Sequence, residues 1–412
     1  MNKLAQISSL SALTLAASTP LFAAVPMGQD GTLFVDSSAA VEYQSNILRQ
    51  GDDEQSDTIF VLTPGVEYRL GGVGDTVAEI KAGYELRFHA DESDLNAEHA
   101  RLTAMASHDS GIALYKGYLG YNEFGTNAQE FDGVVDQQVQ FVPGVTEFFV
   151  GVAGGEVKYR LSDQTAFSAG ADYFVRAYDG DDLAGNESIS FPIKAFFTIA
   201  PELEALIGYR FRESTGYDLP DSQEIVFDFT DHYVFVGVQG QVFSPLWTVD
   251  LDVGYQDRRT DAALRWGPEL DIGDRSTLAF SARVNYDADE MLNFYGELSR
   301  DFGQDAQGSN NFERTRLTLG GNYLISELWR ADFRLTYANT DYDDTQRGSG
   351  GMVTTVDGRE EDVVVAQFGL RYFPNEYLSL GGDFRRTNVD VENSSFPSYT
   401  NNVFVLSAAV RY

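Results

Sequence analysis

Apolar and polar residues alternate one by one over stretches of about ten residues, and few folds accept that pattern. Between Trp247 and Arg258, one set is Trp247, Val249, Leu251, Val253 and Tyr255. The other is Thr248, Asp250, Asp252, Gly254, Gln256 and Arg258. Successive side chains of a strand point to opposite faces, so this segment has one greasy and one wet face. Leu203–Arg212, Thr277–Tyr286, Trp329–Tyr337 and Val77–Phe88 repeat the pattern. A soluble sandwich alternates too, but its strands run about 5–6 residues. A tilted strand crossing a bilayer needs roughly 9–11. The expected fold class is therefore all-β: a single transmembrane antiparallel up-and-down β-barrel.

The rest of the chain fits that expectation. It is 43% hydrophobic and 13% aromatic, yet beyond the N-terminus no run approaches the ~20 apolar residues of a membrane helix. Only helices and closed barrels satisfy every backbone polar group in lipid. Lys3, the apolar stretch Leu10–Ala17, Pro20 and the small pair Ala23-Ala24 read as a signal peptide over 1–24. The expected domains are that signal and an outer-membrane β-barrel over 25–412, exported through the periplasm to a Gram-negative outer membrane. With no cysteine, disulfides and thiolate metal sites are excluded.

Aromatic residues sit near the upper end of the apolar sets: Tyr84, Tyr173, Tyr209, Tyr255, Tyr286, Tyr337 and Phe384. They are expected to form an interfacial girdle. Tyr84/Arg87, Tyr173/Arg176, Tyr209/Arg212 and Tyr255/Arg258 share a Tyr-x-x-Arg spacing. An odd separation sends Tyr to lipid and Arg to the lumen or rim. The terminal set Phe404, Leu406, Ala408, Val410 and Tyr412 resembles the last strand that outer-membrane barrels present to the insertion machinery, with Tyr in place of the usual Phe.

Short turns are expected at Gly71–Asp75, Ser107–Gly111, Leu161–Gln164, Ala200–Glu202, Ser244–Leu246, Gly273–Ser276, Ser326–Leu328 and Phe373–Glu376. Long acidic loops are expected between them, among others at Phe124–Asp136, Asp257–Ala262, Tyr286–Phe312 and Asp341–Glu361. Short periplasmic turns and long outer loops imply about 18 strands. An extra turn or bulge at Asp287–Glu290 would change the count to about 16 or 20.

Asp and Glu number 63 against 29 Lys and Arg, a net charge of -34. That sign disfavours nucleic acid as a partner. It suits acidic loops kept soluble by their charge, a cation-binding outer face, or a cation-leaning lumen. Candidate lumen residues for transport are Arg87, Asp172, Arg176, Arg212, Asp250, Asp252, Arg258, Arg283, Arg330, Asp332, Arg334 and Arg385. They either touch solute or pair along the wall. No cofactor is expected; Gly51–Glu54, Asp179–Asp182 and Asp341–Asp344 could hold loop Ca²⁺ but lack the full EF-hand pattern. No G-x-S-x-G or H-E-x-x-H occurs, so no catalytic residue is assigned. Asp231-His232 is the nearest approach to an acid–His pair.

Phe34-Val35-Asp36, Tyr43-Gln44-Ser45-Asn46-Ile47-Leu48-Arg49, Ser56-Asp57-Thr58-Ile59-Phe60 and Thr63-Pro64-Gly65-Val66 resemble the β-barrel porin 2 family. Its members are outer-membrane barrels that often accompany exopolysaccharide biosynthesis clusters. The resemblance implies a pore, and one candidate cargo is a secreted polysaccharide. The expected function is a porin-like outer-membrane channel, either a passive porin or an exopolysaccharide conduit. The alternative is a non-conducting structural or surface-interaction barrel. Expected partners are outer-membrane lipid and lipopolysaccharide, the insertion machinery, and polysaccharide or small solutes.

Overall fold

The computed structural model describes residues 25–27, 31–52, 54–71, 75–125, 146–179, 185–217, 225–264, 269–270, 274–289, 291–304, 311–342, 345–349, 352–356, 358–392 and 397–411. The expected signal segment 1–24 and Tyr412 lie outside them. Among the described residues, eighteen strands of 13 to 18 residues form the wall. They are β1 Gly31–Gln44, β2 Asp57–Leu70, β3 Thr76–His89, β4 Ala97–Asp109, β5 Ala113–Gly125, β6 Glu147–Ser162, β7 Thr165–Asp179, β8 Gly185–Ala200 and β9 Leu203–Tyr217. The series continues with β10 Ile225–Gln241, β11 Trp247–Leu264, β12 Arg275–Asp287, β13 Leu292–Gln304, β14 Asn311–Ser326, β15 Trp329–Tyr342, β16 Glu360–Tyr372, β17 Leu378–Glu392 and β18 Tyr399–Arg411. Each pairs antiparallel with its neighbours in sequence. β18 returns to β1 from Asp36↔Arg411 to Gln44↔Val403, which closes the barrel and leaves no free sheet edge there.

The apolar sets face outward. Ile80, Ile193, Ile207, Val236, Val253, Phe368 and Leu406 are all exposed, which for large hydrophobic side chains is the signature of a lipid-facing belt. Polar and charged residues of the same strands are turned inward. Pro64 lies within β2, and the β2–β3 ladder skips it, running Ile59–Leu62 and resuming at Gly65. Proline has no N–H to donate there.

Eight short connections alternate with nine longer ones, as expected, but two assignments change. Gly273–Ser276 is no hairpin turn; β12 begins at Arg275, after the longer connection from β11. The segment expected as one loop, Tyr286–Phe312, instead contains the end of β12, a short turn, all of β13 and the start of β14. One false turn and one missed turn cancel, so the count of 18 stands. The Asp257–Ala262 loop is also strand, the upper third of β11. Above the lipid belt both faces are polar, with outward Arg259 and Asp261 exposed and inward Arg258 and Thr260 buried, so alternation fades although the ladder continues.

The aromatic residues occupy two levels. Tyr84, Tyr173, Tyr209, Tyr255 and Tyr337 lie on upward strands toward the long-loop end. Tyr286 does not join them: it ends a downward strand and packs on Trp247 at 4.4 Å. Trp329 and Tyr372 repeat that contact at 4.8 Å. These pairs mark the opposite, short-turn girdle.

Candidate functional site

The lumen is built from every second residue of the strands. The Tyr-x-x-Arg spacing gives it a set of buried arginines toward the long-loop end. Arg87 is 3% exposed and pairs with Glu42 at 3.0 Å and Glu85 at 3.3 Å. Arg176 lies 5.4 Å from the Tyr178 ring. Arg212 and Arg258 share the Asp231 carboxylate: Arg258 donates through Nε at 2.6 Å and Nη2 at 2.8 Å, and Arg212 through Nε at 2.7 Å. Arg87, Arg212 and Arg258 thus pair along the wall, and the contact of Arg176 is with the Tyr178 ring. A buried charge is tolerable only when so partnered.

Further in, a cavity of about 720 Å³ is lined by Asp172, Arg210, Asp252, Arg283, Arg314 and Arg316 among others. Asp172 accepts from Tyr118 at 2.6 Å and Ser190 at 3.3 Å. Asp252 accepts from Tyr233 at 2.6 Å. Arg283, with its side chain 61% exposed, pairs with Glu297 at 2.7 Å. Arg330 donates to Asn322 at 2.7 Å and Arg334 to Tyr295 at 3.0 Å. Asp332 and Asp383 flank Gly369, where a Cβ would stand 2.5 Å and 2.7 Å from their carboxylates. Arg385 sits in the register row of Arg334, through Gln367. Asp250 lines a second cavity of about 450 Å³ near the short turns.

Several inward aromatics lie flat on glycines of the neighbouring strand. A Cβ at Gly208 would come within 2.3 Å of the Phe235 ring, and one at Gly320 within 2.3 Å of Tyr295. Glycine at these points lets a large ring lie along the wall rather than across the lumen.

On the described strands the net charge of the chain does not extend to the inward face. Most of its 29 Lys and Arg fall on inward positions, where acids nearly balance them. The β12 to β17 wall carries Arg283, Arg314, Arg316, Arg330, Arg334, Arg371 and Arg385. Outward or rim positions hold many of the acids: Glu98, Glu187 and Asp362 accept from the girdle residues Tyr84, Tyr173 and Tyr337. The cation-leaning lumen read from net charge is thus corrected, because net charge does not record which face a residue takes.

All twelve expected lumen residues lie on the inward face. Missed were Arg210, Arg314, Arg316 and Asp301, and Tyr233, whose ring lies 5.1 Å from Arg210. Asp301 was hidden because β13 was read as loop; Arg210 stood in plain alternation. Asp231 and His232 cannot act together, since Asp231 points inward to the arginines while His232 points outward to Tyr209 at 2.7 Å. Phe404, Leu406, Ala408 and Val410 line the outward face of β18, with Phe404 4.8 Å from Phe384. In the segments that resemble that family, Asn46 turns the chain by bonding Gln50 and docks on Asn401 at 3.1 Å, and Asp36 crosses over Gly65. Among the described residues no group of three His, Asp or Glu is placed to hold a metal. Parts of all three acidic loop motifs lie outside those residues.

No protein-family model matches the chain, and no curated protein matches it. Solved structures similar to it include the outer membrane protein opdK from Pseudomonas aeruginosa, at 13% identity and TM-score 0.44, covering 92% of this chain and 99% of that one. Pseudomonas aeruginosa OccK2 (OpdF) is similar at 11% identity and TM-score 0.47, with 93% and 98% covered. The outer membrane channel DcaP of Acinetobacter baumannii is similar at 15% identity and TM-score 0.39, with 95% and 100% covered.

Proposed function

We propose that this chain is an outer-membrane diffusion channel for small polar solutes. The observation that carries the reading is a closed ring of eighteen strands whose inward face is polar and charged. Barrels of about 16–18 strands leave an aqueous channel. The inward face mixes both signs, with Asp250 and Asp252 beside Arg283 and with Asp172 on the same cavity as Arg314 and Arg316, so any solute that passes meets a local field. Dipolar and charged small molecules reorient in such a field, and apolar ones gain nothing from it. The outward belt would contact lipid and lipopolysaccharide, and β18 would be presented to the insertion machinery.

The exopolysaccharide conduit implied by the family resemblance gains no support from the lumen, whose charges and pairs suit small solutes as well as sugars. Planar-bilayer recording tests the channel reading. Purified, folded protein should give stable conductance steps; folded protein that carries no current would sink the reading in favour of a non-conducting barrel.

A further inference from the structure

Neighbouring strands β12 and β13 part company toward the long-loop end. Their ladder runs from Asp287↔Asn293 to Phe280↔Arg300 and stops. Above it, β12 continues through Leu278 to Arg275, paired to β11 as far as Arg258↔Arg275. β13 continues through Asp301 to Gln304, paired to β14 from Asp301↔Arg314 to Gln304↔Asn311. The end of β13 has therefore left β12, while its β14 partner stays laddered to β15 as far as Phe312↔Tyr342.

The contacts show where it goes. Asp301 meets Arg210 at 3.3 Å and Arg212 at 3.5 Å, both on β9. Arg212 donates to the Phe302 carbonyl at 3.0 Å, and Arg258 to the Gly303 carbonyl at 2.8 Å. The Phe302 ring, 2% exposed, lies 5.0 Å from the Arg258 guanidinium, which also faces Phe229 at 5.0 Å. Along the wall β9 and β13 are four strand spacings apart, about 19 Å at the usual ~4.8 Å. No arginine spans that, so the β13 end must fold into the lumen. Tyr233 also donates to the Ala279 carbonyl of β12 at 3.3 Å, at the level where β13 is gone.

We propose that residues 301–304 of β13, freed from β12 but still laddered to β14, form a strap that leans inward across the lumen mouth. Arg212 and Arg258 latch it from the wall, and Asp231 positions both. The strap sets the narrowest part of the channel and so its size limit. The wall side is rigid because Asp231 is 1% exposed and holds both guanidiniums. The strap side offers backbone carbonyls and one carboxylate, groups that can let go without unfolding the barrel.

Two experiments test this, and only the first rests on the channel reading. In planar bilayers, Asp231→Asn should loosen both arginines and raise single-channel conductance on the order of twofold, as relief of a constriction does. Asp301→Asn, which leaves the wall intact and serves if Asp231→Asn does not fold, should raise it in the same direction. Unchanged steps from folded variants overturn the strap as the constriction. The second experiment needs no current. The chain has no cysteine, so Arg210→Cys with Asp301→Cys can be treated with a short bifunctional thiol reagent in the folded barrel. The double variant keeps the Arg258 contacts, and the strap should link within the chain. Failure to link, in protein shown to be folded and doubly labelled, means β13 stands upright and overturns the proposal.

Discussion

Leu251 and Asp250 are neighbours on β11 and face different surroundings. Leu251 stands midway between Trp247 and Tyr255, the two ends of the outward belt on that strand, while Asp250 lines the lower cavity. Arginine at the bilayer midplane costs about 2–4 kcal/mol and lumen changes far less. Leu251→Arg should therefore destabilise by about that amount, and Asp250→Asn by much less, in denaturant titrations of protein folded into bilayers. Equal costs would mean that the facing scheme is wrong. Glycine packing gives a second expectation at this scale. A Cβ at Gly208 has no room beside Phe235, so Gly208→Val should cost about 1–3 kcal/mol by overpacking. Pairing it with Phe235→Ala removes the clash, and the two costs should fall short of adding. Full additivity in the same titration would show that the ring does not depend on the glycine.

Strands were the most legible elements wherever lipid bounded one face and water the other. β3, β9, β11 and β15 could be read from their alternation, and the Tyr-x-x-Arg spacing pointed to inward arginines at one level. What stayed illegible has physical causes. Above the belt the upper part of β11, from Asp257 to Asp261, is polar on both faces and has no alternation to show. β13 alternates, but Gly296 weakens its apolar set, and Asp287, Asp289 and Glu290 before it look like a loop. The inward turn of its end leaves no mark in a single strand, because it depends on Arg212 and Arg258, which lie far off in sequence. Closure by β18 was legible only as an apolar terminal strand; its partner was not. The paired positions Ala40 and Ser407 face inward across the β1–β18 seam. Ala40→Cys with Ser407→Cys should form a disulfide on oxidation and keep the boiled, unreduced chain more compact on a denaturing gel. A chain that migrates as the reduced form would place the seam elsewhere.

At the scale of the whole molecule, charge is sorted by surface rather than by sequence, and salt decides which part of it an ion feels. The net charge of -34 resides mainly on rim, outward and loop positions, while the lumen is nearly balanced. The screening length is about 10 Å at 0.1 M salt and about 30 Å at 0.01 M. At the higher concentration a permeating ion feels the wall and little of the rim, so the reversal potential across a salt gradient should show weak selectivity. At the lower one the rim acids come within reach and cations should be favoured. Arg334→Glu changes the wall charge by two and should shift the reversal potential toward cations even at the higher salt. Glu360→Gln, on the outward side at the rim, should act only at the lower. A strong cation preference at 0.1 M salt in the unaltered protein, where screening confines the ion to the wall's own field, would place the excess acid inside the lumen after all.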